Sequence, residues 1–176
     1  MRESVLVLRY GGAEVPLPLA SARQADTTLE PIDNGEVVRT WNGDLIDLTR
    51  PEHRKYDLRV SASGMRSPPL DHVWRGQSIE VDCIDTLRQF DVSTTITLER
   101  DPVPGSVAAY RVDHANATHA AIPVLSVSGR DVTLDAFSGT AVVEYRPRLQ
   151  MKLVAFNRQS AEWDAEERWN LELLEA

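Results

Sequence analysis

The chain has 176 residues, with 19 Lys and Arg set against 27 Asp and Glu, for a formal net charge of −8. A fold of this size buries roughly 70% of its unfolded surface, enough for a core without staples, and the single cysteine, Cys83, excludes both an intrachain disulfide and a CxxC-type zinc site. Acidic and basic residues are interspersed and no apolar run reaches the length of a membrane span or a signal-peptide core, so we expect a soluble protein with no membrane anchor, no export signal and no sequence-specific affinity for nucleic acid.

In chain order, Val5 to Leu8 followed by Gly11-Gly12 reads as a strand and turn. Val15 to Leu19 reads as an extended edge, because Pro16 and Pro18 cannot donate to a central ladder. Ser21 to Ile32 can hold a short strand, with Pro31 and Asn34-Gly35 making the next turn. The segment Glu36 to Leu48 carries the strongest local signal. Asn42-Gly43 lies between two strand-like runs, and this pair supplies the two φ > 0 residues of a type I′ hairpin turn. A two-residue loop there places Trp41 opposite Asp44, Thr40 opposite Leu45, Arg39 opposite Ile46, Val38 opposite Asp47 and Val37 opposite Leu48. Both faces of such a ribbon are mixed in polarity, which suits a hairpin contacted on two sides.

Thr49 to Lys55 reads as a loop, and Tyr56 to Ser61 alternates strictly with Tyr56, Leu58 and Val60 inward. A further loop covers Ser63 to Leu70. Gln77 to Ile84 alternates again, with Ile79, Val81 and Cys83 on one face and Ser78, Glu80 and Asp82 on the other. Thr94 to Glu99 repeats the period of two until Asp101-Pro-Val-Pro-Gly105 breaks it. The stretch from His114 to Ala121 has no period, and a short helical turn there is not favoured. Pro123 to Val127 and Asp131 to Asp135 then form a hairpin in which Gly129 takes the left-handed position, and Thr140 to Tyr145 is another strand. Leu149, Met151 and Leu153 alternate, a polar loop covers Asn157 to Arg168, and Trp169, Leu171 and Leu173 complete a last hairpin. Ser160 can also cap a helix over the following acidic run, but the period of two in Trp169-Asn-Leu-Glu-Leu favours a strand. The fold class expected is all-β, an antiparallel sandwich or barrel of about ten short strands with long loops. It spans 1–176 as one domain, or as two β subdomains split near 101–122.

No chemical constellation emerges. His114 and His119 are five apart, a spacing that converges neither on a helix nor on a strand, so no metal is expected. Asp71-His72 are adjacent on an extended chain and point to opposite faces, which rules out a base and its orienter. Cys83 on an apolar face reads as an inert thiol, and no nucleophile elbow or phosphate loop is present. Neither a catalytic residue nor a cofactor is expected. That leaves four tryptophans, each able to bury ~150–250 Å², or on the order of 4–6 kcal/mol of gross transfer energy. Tyr56, Trp74 and Trp169 are the candidate core anchors. Trp41 beside its turn, with Arg39, Asn42, Gly43 and Asp44, is the candidate interface, although core packing and sugar stacking remain open for it.

Three segments carry a resemblance: Arg39 to Thr49 continuing to Arg54-Lys55-Tyr56; Trp74-Arg-Gly-Gln-Ser-Ile-Glu-Val-Asp-Cys83; and Tyr145-Arg-Pro-Arg-Leu-Gln-Met151 continuing to Trp169-Asn-Leu-Glu-Leu-Leu-Glu175. Over about half its length the chain resembles small virion proteins of long, non-contractile-tailed bacteriophages, encoded near the tape-measure gene and built into the tail tip or baseplate. The resemblance implies a non-enzymatic β-rich subunit of the virion tail, a homo-oligomer of trimeric or hexameric symmetry that contacts other tail proteins. A tail-tube subunit and a carbohydrate-binding β-sandwich for host-surface glycans are the alternatives. The glycan reading requires Trp41 or Trp74 to be exposed on a concave face.

Overall fold

The computed structural model describes residues 6–17, 24–32, 37–47, 54–64, 66–113, 118–160 and 167–176. Among them there is no helix, and seventeen strands follow one another: β1 Val7–Tyr10, β2 Ala13–Glu14, β3 Gln24–Ile32, β4 Val37–Arg39, β5 Leu45–Asp47, β6 Lys55–Gly64, β7 Ser78–Asp82, β8 Leu87–Asp91, β9 Thr95–Thr97, β10 Asp101–Pro102, β11 Ala108–Asp113, β12 Thr118–Ile122, β13 Val124–Ser128, β14 Asp131–Leu134, β15 Ala141–Tyr145, β16 Pro147–Ser160 and β17 Glu167–Glu175. The fold is all-β and antiparallel, with no closed barrel. An eight-stranded sheet has the order β2-β1-β7-β16-β17-β6-β3, with β10 also paired to β16. A four-stranded sheet runs β12-β11-β15-β8, a three-stranded sheet β13-β14-β9, and β4-β5 form a two-stranded sheet of their own.

The chain divides into two compact units: Met1–Ser4, Arg9–Ile79 and Gln150–Ala176 in one, and Val5–Leu8 with Glu80–Leu149 in the other. The division does not follow the expected split near 101–122, because the second unit is a continuous insertion, apart from Val5–Leu8, within the sequence of the first. In the first unit the register of β3, β6, β17 and β16 stacks Leu29, Leu58, Leu173 and Leu153 in one cross-strand row, and Thr27, Val60, Leu171 and Phe156 in the next. Leu58, Val60, Trp169, Leu171 and Leu173 are buried. Cross-strand apolar rows of this kind are what stabilise a sheet. Pro31 is accommodated because β3 lies at the end of the sheet order, where a missing N–H costs no central ladder bond.

In the second unit the four-stranded and three-stranded sheets share one core, built from Ala109, Ile122, Ala141, Val143 and Tyr145 of the former and Ile96, Val132 and Leu134 of the latter. This is a β-sandwich in miniature, with strands such as β14 and β15 turning alternate residues inward. Tyr145, buried to 1% exposure, keeps its hydroxyl satisfied by accepting the Arg100 N–H at 3.2 Å.

Several local expectations are corrected. The polar segment from Asn157 to Arg168 is not a single loop, since β16 continues to Ser160 and β17 begins at Glu167; pairing with a long neighbour extends both strands past their apolar stretch. Likewise β6 runs on to Gly64 and β12 forms from Thr118 although its sequence has no period, because β11 supplies the ladder. Strand β8 has no signature in the sequence, and it forms by pairing with β15. The Asn34-Gly35 turn and the region of the possible helix from Ala161 lie outside the described residues.

Candidate functional site

The segment Val37–Asp47 is a hairpin, but its loop is one residue longer than Asn42-Gly43 predicts. Val37 pairs with Asp47, Val38 with Ile46 and Arg39 with Leu45, so Trp41, Asn42 and Gly43 all lie in the loop. The Gly43 N–H donates to the Thr40 carbonyl at 2.9 Å and the Thr40 N–H to the Asp44 carbonyl at 2.9 Å. Gly43 has φ +87°, the arrangement of a turn closed by a left-handed residue in a three-residue hairpin loop. The reason lies in Thr40. In this register its hydroxyl faces Asp44 and accepts the Asp44 N–H at 3.1 Å, a bond the two-residue loop does not offer. Arg39 completes the structure by donating from Nη1 to the Gly43 carbonyl at 3.1 Å. The two φ > 0 residues of a type I′ turn occur instead at Gly11 (φ +60°) and Gly12 (φ +82°), between the paired Tyr10 and Ala13.

A slip of one residue exchanges the faces of one strand relative to the other. Val38 and Ile46 therefore stand opposite one another as an apolar pair, and Arg39 stands opposite Leu45. All four are exposed, as are Asn42, Gly43 and Asp44 at the tip. Trp41 is 96% exposed. Among the described residues the hairpin pairs with no other strand, and a lone two-stranded ribbon is marginally stable in water. The candidate interface residues Arg39, Trp41, Asn42, Gly43 and Asp44 thus lie together on a self-braced loop whose apolar groups face solvent.

The three candidate core anchors separate. Trp169 is buried at 1% exposure. Tyr56 is half-buried on β6, with its N–H donating to the Glu175 carboxylate at 3.0 Å. Trp74 is not a core residue: it is 75% exposed, because the buried positions of its segment are taken by Leu70 and Val73, and the intervening turn leaves Trp74 pointing away from them.

Other features had no sequence signal. Asp82, placed by alternation on the polar face of its strand, is 3% exposed and receives Arg148 in a two-pronged ion pair, Nε to Oδ1 at 2.6 Å and Nη2 to Oδ2 at 3.2 Å. Phe90 and Val92, on and just after β8, are exposed on either side of Asp91. The Asp91 carboxylate accepts the Ser93 and Val92 N–H groups, which hold its pKa below the ordinary aspartate value. Asp71 and His72 do not meet; Asp71 pairs with Arg158 at 3.2 Å and His72 lies edge-on to Tyr10. His119 lies edge-on to Tyr110, while His114 is outside the described residues. Among the described residues no three His, Cys, Asp or Glu side chains converge as a metal site, and no helix is long and apolar enough to cross a membrane.

Comparison of the chain with protein-family models, with curated proteins and with solved structures finds no match.

Proposed function

We propose that this chain is a non-enzymatic structural subunit of a bacteriophage virion, built into the distal end of a long non-contractile tail as a symmetric trimer or hexamer. The Val37–Asp47 hairpin is the arm through which one copy engages its neighbour. The observation that carries this reading is Trp41, 96% exposed at the tip of a hairpin that also exposes Val38, Leu45 and Ile46. Aromatic anchors ringed by smaller apolar groups dominate the energetics of protein interfaces. A ribbon whose edges pair with no other strand among the described residues also offers main-chain donors and acceptors for strand addition to a second subunit. The all-β fold and the resemblance of the hairpin segment to tail-tip proteins point the same way.

Immunogold labelling of virions with antibody to this protein tests the reading. Gold confined to the distal tail end is the expected result, gold along the whole tube would make the chain a tube subunit, and virions free of the protein would sink the proposal.

A further inference from the structure

The exposed Trp74 differs from Trp41 in both mounting and surroundings. Its loop is built from two successive turns pinned to the fold. Val73 N–H donates to the Leu70 carbonyl at 2.9 Å, with both side chains buried, and Gln77 N–H donates to the Trp74 carbonyl at 3.1 Å. Gly76, third in the second turn, has φ +86°, as a type II turn requires. The turn is then locked to β16 by Gly76 N–H to the Leu153 carbonyl at 2.8 Å and Leu153 N–H to the Gln77 carbonyl at 2.9 Å. The Gln77 side chain closes back on the Trp74 N–H at 2.7 Å. The backbone that carries this indole is fixed before any ligand arrives, so little backbone ordering entropy remains to be lost on binding.

The exposed neighbours of Trp41 include the apolar Val38, Leu45 and Ile46 as well as Arg39, Asn42 and Asp44. Beside Trp74 they are Asp71, His72 and Arg75, with Arg158 drawn in by its ion pair to Asp71. A protein hot spot is sealed from water by surrounding apolar contacts, and this ring of polar groups does not provide that seal. The turn sets an exposed indole three residues after a carboxylate and one residue before a guanidinium. The negative face of an aromatic ring attracts the polarised C–H groups on one side of a pyranose, while the hydroxyls around that ring are matched by acceptors on Asp71 and donors on Arg75. Asp71 and Trp74 are three residues apart, a reach of at most about 11 Å, which a mono- or disaccharide spans.

We propose that the Trp74 turn is a saccharide-binding platform, with Trp74 stacking on a pyranose face and Asp71 and Arg75 taking its hydroxyls. The platform is independent of the assembly arm, and the two readings fail separately. The test is binding of the full-length protein to an array of immobilised neutral, N-acetylated and uronic-acid oligosaccharides, followed by titration of the strongest binder against tryptophan fluorescence. The parent protein is expected to bind at least one class. Trp74→Ala lowers that affinity at least tenfold, Trp74→Tyr restores most of it by keeping a stacking face, and Trp41→Ala leaves it unchanged. Because Trp74 is exposed, Trp74→Ala retains the fold, which circular dichroism checks. Absence of binding to every member of the array, Trp74→Ala binding like the parent, or Trp41→Ala losing as much affinity as Trp74→Ala would each overturn the proposal.

Discussion

At the scale of single residues, the molecule separates its tryptophans by task, and the sequence does not say which goes where. Trp169 and Trp74 both stand beside alternating apolar residues, yet one is buried and the other solvent-exposed. The difference is set by where the chain turns, and Gly76 decides that for Trp74. Trp41 was readable as a protruding residue because Asn42-Gly43 marks a tip. Replacing it with Ala should leave the unfolding free energy from urea titration unchanged within about 0.5 kcal/mol, as for exposed sites generally. The same change should weaken self-association by about 30-fold or more, the size of a 2 kcal/mol hot spot; sedimentation analysis of parent and variant measures the second effect, and equal association would remove Trp41 from the interface. Asp82 shows the opposite failure of legibility. Period-two alternation assigns it to a polar face, and its pairing with Arg148 is part of how a carboxylate is tolerated at 3% exposure. Asp82→Ala should cost about 1.5–3 kcal/mol, because it removes the two-pronged acceptor of a guanidinium that keeps Glu80 at 3.7 Å, while Asp82→Leu with Arg148→Met should cost less than the two single changes together. A double-mutant cycle additive within about 0.5 kcal/mol would show that the pair is not coupled.

At the scale of elements, the hairpins were legible wherever glycine punctuates them, as at Gly11-Gly12 and Gly129, and strands wherever apolar residues alternate. What escaped was register. At Val37–Asp47 a threonine hydroxyl shifts the loop by one residue. In β16 an irregularity between Leu153 and Ala155 resets the alternation, so that Phe156, not Ala155, comes to stand opposite Leu171. Bulges of this kind are invisible to a period count, and here one also carries Arg158 into the position from which it reaches Asp71. Strand β13 ends its sheet order with Leu125 and Val127 exposed, an edge open to unwanted pairing. Val127→Lys should therefore slow aggregation during heating, read by light scattering, while changing stability by no more than about 0.5 kcal/mol. The loop that follows β6 is tied to β17 by the Glu167 carboxylate, which accepts the Ser67 N–H at 2.6 Å, and that bond holds the Glu167 pKa below its ordinary value. With the folded pKa depressed, the tie contributes fully above the ordinary glutamate range, about 4.3, and is lost as pH falls through the lower folded value. The protection factor of the Ser67 amide should fall over that interval in the parent and stay flat in Glu167→Gln; identical profiles would remove the carboxylate from the account.

At the scale of the whole molecule, the all-β class was legible because strand periodicity recurs along the chain and no helix signal outweighs it. The interleaving of the two units was not, since pairing partners far apart in sequence leave no local mark. The Lys55 ammonium reaches the Ala176 carbonyl at 2.6 Å across 121 residues, and β6 pairs along its length with β17. The order β2-β1-β7-β16-β17-β6-β3 places the two latest strands of the chain among the inner members of the sheet and the earlier β1, β2 and β3 at or near its ends. The consequence appears during synthesis. A ribosome delivers β6 long before its partner β17, so β6 waits with one edge unpaired and Leu58 and Val60 unburied, a state prone to aggregation. The strands of the four-stranded and three-stranded sheets, by contrast, pair with one another and have all their sheet partners at hand once Tyr145 emerges. Nascent chains stalled once residue 149 has cleared the exit tunnel should show protease protection over 80–149 and none over 55–64, with protection of the latter arriving only after Glu175 emerges. Protection of both segments at the earlier stall would show that β6 finds a different partner first. Slowing translation over the last strands should therefore lower the yield of folded protein, by prolonging the interval in which β6 lacks β17.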